Sequence, residues 1–136
     1  MSCKSALYTV NNVFNELQPS SQIPFGAIVR RFGPSVQLDG SAITLSSPGY
    51  YKVDCSLTVQ ASSAGDILAA MYANGNLVPG LSAAGSATAA DNYVNLHMCG
   101  LVRLQCCDSS TVLILQLGST SVPVTIANVA CVVEKL

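Results

Sequence analysis

Residues 49–60 read Gly-Tyr-Tyr-Lys-Val-Asp-Cys-Ser-Leu-Thr-Val-Gln, and their alternation is the main evidence for the fold class. Apolar side chains fall at every second position, namely Tyr51, Val53, Cys55, Leu57 and Val59. A period of two is typical of a β-strand that places one face in a core. A Pro-Gly pair precedes the stretch and Ser-Ser-Ala-Gly follows it, which indicates a turn and a loop. We therefore predict a long, half-buried strand in the middle of an antiparallel sandwich.

The rest of the chain carries the same strand and turn signals. Asp39-Gly40 and Asn74-Gly75 predict hairpin turns. Pro79-Gly80 is expected to end the strand that begins at Asn76, and residues 82–91 are expected to form a loose strand or loop of small residues. Turn signals recur every eight to twelve residues and no segment favours a helix, which predicts an all-β sandwich or barrel of eight to ten strands. The predicted strands cover residues 6–10, 23–32, 36–38, 42–45, 49–60, 66–73, 76–78, 93–104, 111–117 and 122–133.

Residues 93–104 form the second long predicted strand, and its alternation defines two faces. One face is apolar and carries Val94, Leu96, Met98, Val102 and Leu104, with Gly100 in the same row. The other face is mixed and carries Tyr93, Asn95, His97, Cys99, Leu101 and Arg103.

The last predicted strand, residues 122–133, is apolar on both faces. One face carries Val124, Ile126, Ala130 and Val132, and the other carries Ala127, Val129, Cys131 and Val133. A strand without a polar face is covered on both sides in a folded protein. One side fits the sandwich core, and we predict that a second subunit covers the other.

The length of 136 residues fits one domain. Only 10% of the residues are charged, against about 25% in a typical soluble domain, so we expect much of the surface to be covered by copies of the chain or by a partner. A net charge of −1 without a basic cluster argues against nucleic-acid binding. The apolar runs are too short to cross a membrane. The first twenty residues contain no apolar run of the kind found in signal peptides, so we expect synthesis in a cytoplasm.

We expect no enzyme, no cofactor and no metal site. His97 is the only histidine, and we interpret it as a polar residue at a strand interface, with a threefold metal or anion cluster as the alternative. Asp54 is expected to pair with Lys52 or Arg103. The six cysteines contain no Cys-x-x-Cys pair, so most are expected to be free thiols.

Two further dipeptides leave alternatives open. Cys106-Cys107 is interpreted as part of a turn, with a bridge between subunits as the alternative. Arg30-Arg31 is interpreted as a solvated strand end, with docking on an acidic partner as the alternative.

The chain resembles the tumour necrosis factor and complement globular-head superfamily over roughly residues 23–136. The matching features are Gly49-Tyr50-Tyr51-Lys52-Val53, the apolar strand that ends at Asn74-Gly75, the long strand of residues 92–104, Asp108 ahead of an apolar strand, and the apolar final strand. The resemblance implies a two-sheet antiparallel jelly roll of about ten strands that assembles as a trimer. It also implies that the sheet carrying both chain ends and the two long strands faces the threefold axis. On this basis the expected trimer interface contains Tyr93, His97, Leu101, Val129, Cys131 and Val133.

The chain is also similar to small bacteriophage jelly-roll proteins, including head decoration and fibre proteins. We therefore predict residues 23–136 as the jelly-roll domain and residues 1–22 as a first strand or arm that attaches to a capsid or other virion protein. The predicted function is structural and non-enzymatic: a homotrimer on a phage virion, with a host-surface ligand as a further possible partner. The alternative is a binding module on a bacterial cell or spore surface that recognises a glycan or a protein.

Overall fold

The computed structural model describes residues 4–13, 15–105 and 110–136. The described residues form strands and connecting turns and contain no helix. The Cys106-Cys107 turn and Asp108 of the family-like motif lie outside this part of the chain. The strands are β1 (Ala6–Asn11), β2 (Glu16–Leu17), β3 (Gln22–Ile23), β4 (Ala27–Phe32), β5 (Val36–Asp39), β6 (Ala42–Leu45), β7 (Gly49–Ala61), β8 (Gly65–Ala73), β9 (Asn76–Ala87), β10 (Tyr93–Leu104), β11 (Thr111–Leu117) and β12 (Val124–Lys135).

The strands form two antiparallel sheets of six strands each, which confirms the predicted jelly-roll sandwich. The first sheet has the order β10-β7-β12-β1-β4, and the short β2 pairs with β12. The second sheet has the order β5-β6-β11-β8-β9, and β3 pairs with β11. Because consecutive strands often lie in different sheets, the chain crosses repeatedly between the two layers and encloses one core.

Residues 49–60 lie within β7, in the interior of the first sheet. It pairs with β10 on one side and β12 on the other. All five of its predicted core side chains are buried, with exposed fractions of 2% or less. The predicted faces of β10 are also confirmed, because its apolar row is buried or half-buried while the row from Tyr93 to Arg103 is exposed.

A β-bulge changes the faces of the last strand. The pairing of β12 with β7 shifts register between Ile126 and Asn128, so that Ala127 is an extra residue. Residues before and after a bulge have opposite parity, and the core-facing residues are therefore Val124 and Ile126, followed by Val129, Cys131 and Val133. The prediction that β12 is apolar on both faces is wrong, because its outward side chains include Thr125, Asn128 and Glu134.

A second bulge lies between β8 and β9, and residues 76–78 and 82–87, which were predicted as separate segments, form one strand. The strand that begins at Asn76 does not end at Pro79-Gly80 but continues to Ala87 as β9. The register between β8 and β9 shifts near Ala70 and Tyr72, and this bulge accommodates Pro79-Gly80 at the sheet edge. The Asn74-Gly75 turn is confirmed, since both residues have the positive φ values, 50° and 85°, that a type I′ turn requires.

Within residues 4–13 and 15–22, two strands and the first residue of a third belong to the two sheets of the sandwich. β1 lies between β12 and β4 and is paired with both. Leu7 and Thr9 of β1 point into the core and are buried. The predicted strand of residues 23–32 is two strands in different sheets, β3 and β4, because the chain crosses between layers at residues 24–26. A division at residue 22 therefore does not separate a free arm from the jelly roll.

Candidate subunit interface

The outward side chains of the first sheet form the candidate interface, here called the outer face. It is built by alternation: every second residue of each strand points away from the core. Its central members are Tyr93, His97, Cys99, Leu101 and Arg103 of β10, Tyr50, Lys52 and Asp54 of β7, Ala130, Val132 and Glu134 of β12, and Tyr8 and Val10 of β1.

Strand register arranges these side chains in rows across the sheet. In one row Asp54 lies opposite Cys99 on one side and Val132 on the other, and Val132 in turn lies opposite Tyr8. In the neighbouring row Lys52 lies between Leu101 and Glu134. The outer face therefore mixes aromatic and aliphatic side chains with single charges of both signs.

Exposed large apolar side chains are concentrated on the first sheet. Of twelve such residues in the described part of the chain, the strands of the second sheet hold only Leu77 and Val112, and Val13 and Leu136 lie outside the strands. A cluster of exposed apolar residues on one face of a soluble domain is typical of an interaction surface. The remaining eight belong to the first sheet. Five of them lie on the outer face: Tyr8, Tyr50, Tyr93, Leu101 and Val132. The other three, Ile28, Val29 and Phe32, lie on the edge strand β4, where all six residues are exposed.

His97 forms a hydrogen bond with Asp54 in the middle of the outer face. Its Nε2 atom lies 2.6 Å from Oδ1 of Asp54, and because a carboxylate only accepts hydrogen bonds, Nε2 is the donor. The side chains remain 59% and 43% exposed in the single chain. Asp54 thus pairs with His97 rather than with Lys52 or Arg103, because His97 is its diagonal neighbour across the β7–β10 ladder.

Arg103 lies near one end of the outer face and stacks on a tyrosine. Its guanidinium carbon is 5.7 Å from the ring centroid of Tyr50, directly opposite in register. A cation over an aromatic ring is held by the ring quadrupole, which fixes both side chains on the sheet surface.

The structure divides the predicted interface residues into two groups. Tyr93, His97 and Leu101 are exposed on the outer face, where their contact with another subunit stays a prediction. Val129, Cys131 and Val133 are fully buried in the core of the single chain. Their assignment to an outward face is wrong, because the bulge at Ala127 reverses the parity of the strand.

Sequence reasoning missed the part of the outer face contributed by β12 and β1. Val132 and Tyr8 are 38% and 36% exposed and lie side by side. Ala130 and Val10 form the next pair in the same two columns. The alternation of β1, with buried Leu7 and Thr9 flanking Tyr8, is a sequence signal for this strand. Its pairing with β12 is a long-range contact that alternation does not reveal.

The edge strand β4 extends the first sheet beyond the sandwich. All six of its residues are exposed, including Arg30 and Arg31. Arg30 lies opposite Tyr8 on the outer face. Edge strands with two positive charges resist pairing with another sheet edge, which agrees with the interpretation of these residues as a solvated strand.

A shallow groove of about 480 Å³ lies on the outward side of the second sheet. Its walls combine apolar and hydroxyl side chains from β8, β9 and the loop after β11, including Leu68, Tyr72, Ser82 and Thr120. Beside it the Ser86 hydroxyl donates a hydrogen bond of 2.8 Å to Oδ1 of Asp66. No Lys, Arg, Asp or Glu is among the residues that line the groove, so it is suited to a neutral ligand.

Within residues 4–13, 15–105 and 110–136, no three His, Cys, Asp or Glu side chains gather closely enough to hold a metal ion. The same residues include no helix that is long and apolar enough to cross a membrane.

Comparison with known proteins identifies the fold. No family model matches the sequence, and no curated protein matches it. Solved structures match almost the whole chain. The Eiger TNF of S. frugiperda has a TM-score of 0.73 at 12% identity, covering 97% of this chain and 91% of that one. The globular domain of the zebrafish complement 1qA protein has a TM-score of 0.62 at 14% identity, covering 96% and 94%.

A phage protein also shares the architecture. The vertex protein P5 of phage PRD1 has a TM-score of 0.61 at 12% identity, covering 97% of this chain and 96% of that one. The chain therefore has a tumour-necrosis-factor-like jelly-roll fold, as the sequence motifs indicated. The strands β1 and β2, which the motifs did not cover, are part of the first sheet of this fold.

Proposed function

We propose that the chain is a non-enzymatic structural protein that assembles as a homotrimer through the outer face and forms part of a bacteriophage virion. The observation that carries the trimer is the concentration of five exposed large apolar residues on the outer face of the first sheet, against two on the strands of the second sheet. The resemblance to the tumour necrosis factor superfamily assigns the same sheet to a threefold axis.

The chemistry of the outer face suits contact between protein subunits. Tyrosines are enriched in interfaces because they combine a large apolar surface with a polar tip, and Tyr8, Tyr50 and Tyr93 are exposed here. Charges of both signs, including Lys52 and Glu134 in one row, allow complementary pairing between copies. A threefold arrangement brings three copies of the His97–Asp54 pair towards one another.

The virion assignment is supported by two features. The fold is shared with the PRD1 vertex protein, and the surface is poor in charge, as expected where neighbouring subunits cover it. Attachment to another virion protein is assigned to the segment between β1 and β3, because β1 itself is paired on both sides. In this segment Asn12, Val13 and Asn15 are exposed.

Two measurements test this proposal. Light scattering of the purified chain in solution should give three times the mass of one chain, and a monomer at micromolar concentration would refute the trimer. Mass spectrometry of purified phage particles from the source culture should detect the chain in fixed proportion to a capsid protein. Its absence from purified particles would refute the virion role.

The groove on the second sheet favours a second candidate function, a cell- or spore-surface module that binds a neutral glycan. Tyr72 and the hydroxyls of Ser82, Ser119 and Thr120 line the groove together. A glycan array probed with the wild-type chain and with Tyr72→Ala separates the two candidates. Binding that is lost in the variant supports the surface module, and no binding on the array leaves the virion protein as the better assignment.

A further inference from the structure

Two buried cysteines face each other across neighbouring strands. Cys55 of β7 and Cys131 of β12 are direct partners in the antiparallel ladder. Both are free thiols with an exposed fraction of 0%. Since both side chains point to the core, they lie on the same side of the sheet. Cys131 is therefore part of the core and not of the outer face.

The backbone geometry of this pair fits a disulfide. Directly opposed residues in antiparallel strands have Cα atoms about 4.5–5.5 Å apart, whichever type of pair they form. Disulfides span Cα separations of about 4.4–6.8 Å. A hydrogen bond to the thiol of Cys55, together with burial, raises the pKa of Cys131 well above its usual value. Register and burial therefore place the two thiols next to each other on the core side of the sheet.

The residues paired with Cys55 and Cys131 do not activate either thiol. On its other side Cys55 lies opposite Met98, and Cys131 lies opposite Thr9. The Thr9 hydroxyl is buried and is the only buried side-chain N or O atom in the described residues without a hydrogen-bond partner. This row therefore contains no base or cation that would activate either sulfur as a nucleophile.

We propose that Cys55 and Cys131 form a latent cross-strand disulfide site, which closes when the chain folds in an oxidising medium and is sealed from oxidants once the reduced chain has folded. The bond links residue 55 to residue 131 and joins β7 to β12, two central strands of the sheet that carries the outer face. Closing so long a loop restricts the unfolded chain and stabilises the folded one.

The chemistry is a thiol–disulfide exchange with a low-molecular-weight disulfide such as glutathione disulfide. The thiolate of Cys55 attacks one sulfur of glutathione disulfide, forms a mixed disulfide and releases one glutathione thiolate. The sulfur of Cys131, after losing its proton, then attacks the Cys55 sulfur and releases the second glutathione. The two protein thiols lose two electrons and two protons, and glutathione disulfide gains both. Because exchange with glutathione disulfide requires an accessible thiolate, the first step takes place before β7 and β12 pair. The second step takes place as pairing brings Cys131 beside the Cys55 sulfur.

The test uses the full chain with the other four cysteines replaced, Cys3→Ser, Cys99→Ser, Cys106→Ser and Cys107→Ser. The variant is unfolded in urea and refolded either with glutathione disulfide or with a reductant, and thiols are then alkylated under denaturing conditions. We expect no alkylation after oxidative refolding, a peptide that links Cys55 to Cys131, and an unfolding midpoint at higher urea than in the reduced form. Two free thiols or two glutathione adducts in the refolded protein would overturn the proposal.

Two further measurements make the result independent of that variant. Peptide mapping of the wild-type chain after the same oxidative refolding should recover the Cys55–Cys131 link, and pairing of either residue with another cysteine would contradict it. The folded, reduced protein exposed to glutathione disulfide should keep both thiols free for at least tenfold longer than the unfolded chain. Equal rates would show that folding does not seal the site.

Discussion

The Nε2 atom of His97 lies 2.6 Å from Oδ1 of Asp54 and links the edge strand β10 to β7 on the outer face. In the single chain both side chains are in contact with water, so their attraction is weakened by solvent. Association of subunits through this face would remove that water. The coupling free energy between His97 and Asp54 therefore reports whether another subunit covers the outer face.

A double-mutant cycle measures this strength. His97→Ala, Asp54→Ala and the double variant are compared by urea unfolding in the wild type and in a chain kept monomeric by Leu101→Asp. In the monomer we expect a coupling of about 0.2–1 kcal/mol, as for exposed ion pairs. In the trimer we expect at least about 1.5 kcal/mol, because close charge pairs at interfaces couple more strongly. Equal couplings in the two backgrounds would place the pair outside the interface.

Leu101→Asp tests the outer face itself. Leu101 is 55% exposed in the single chain, and its burial between subunits would contribute about 1.5–3 kcal/mol. A charge at this position should lower the association constant by about tenfold to a hundredfold. Light scattering should then show monomers. The matched control is Val112→Asp, at an exposed position of the second sheet. A trimer that survives Leu101→Asp, or dissociates with Val112→Asp, would contradict the assignment.

The contrast between β7 and β12 shows how far sequence alone predicts this fold. Alternation predicted the core residues of β7 from Tyr51 to Val59, where the strand is regular, and missed only the buried Ala61 at its end. The same rule failed for β12, since one bulged residue reverses the parity of all that follow. A bulge is set by the pairing of distant strands, and local sequence does not report it. For this reason three of the six predicted interface residues, Val129, Cys131 and Val133, were assigned to the wrong face. The three residues of β10 were assigned to the outward face, where the structure has them.

Val133→Asp and Val132→Asp test the corrected faces of β12. Val133 is fully buried, so an aspartate there would place a charge in the apolar core and should destabilise the fold by about 3 kcal/mol or more. Val132, the next residue towards the N terminus, is 38% exposed on the outer face. Val132→Asp should keep the folded circular dichroism spectrum but lose the trimer. A folded, monomeric Val133→Asp chain would return Val133 to an outward face.

Gly26→Ala tests the crossing from the second sheet to β4. Gly26 has a φ of 92°, and a Cβ atom there would clash with the carbonyl oxygen of Val10 and lie 2.6 Å from Cα of Asn11. Both neighbouring atoms belong to the backbone and cannot move aside as a flexible side chain would. We therefore expect a loss of about 2 kcal/mol or more in the free energy of unfolding. Gly40→Ala is the control, with a φ of 63° and open space around it, and should cost about 1 kcal/mol. Equal losses would mean that the close approach at Gly26 does not constrain β4.

The stability of the reduced protein should fall in alkaline solution because of Cys131. A hydrogen bond to Cys55 and burial raise the pKa of Cys131 in the folded chain above its ordinary value of 9.0. Below pH 9 the thiol is protonated in both states, and its contribution to stability is complete. Above pH 9 only the unfolded chain releases the proton, so the free energy of unfolding should decrease by up to about 1.4 kcal/mol per pH unit until the folded thiol also ionises. Urea unfolding between pH 7.5 and 10.5 should show this slope in the wild type and in Cys99→Ala, which removes an exposed thiol, but a shallower one in Cys131→Ala. An identical slope in all three proteins would show that the buried thiol is not the group that titrates.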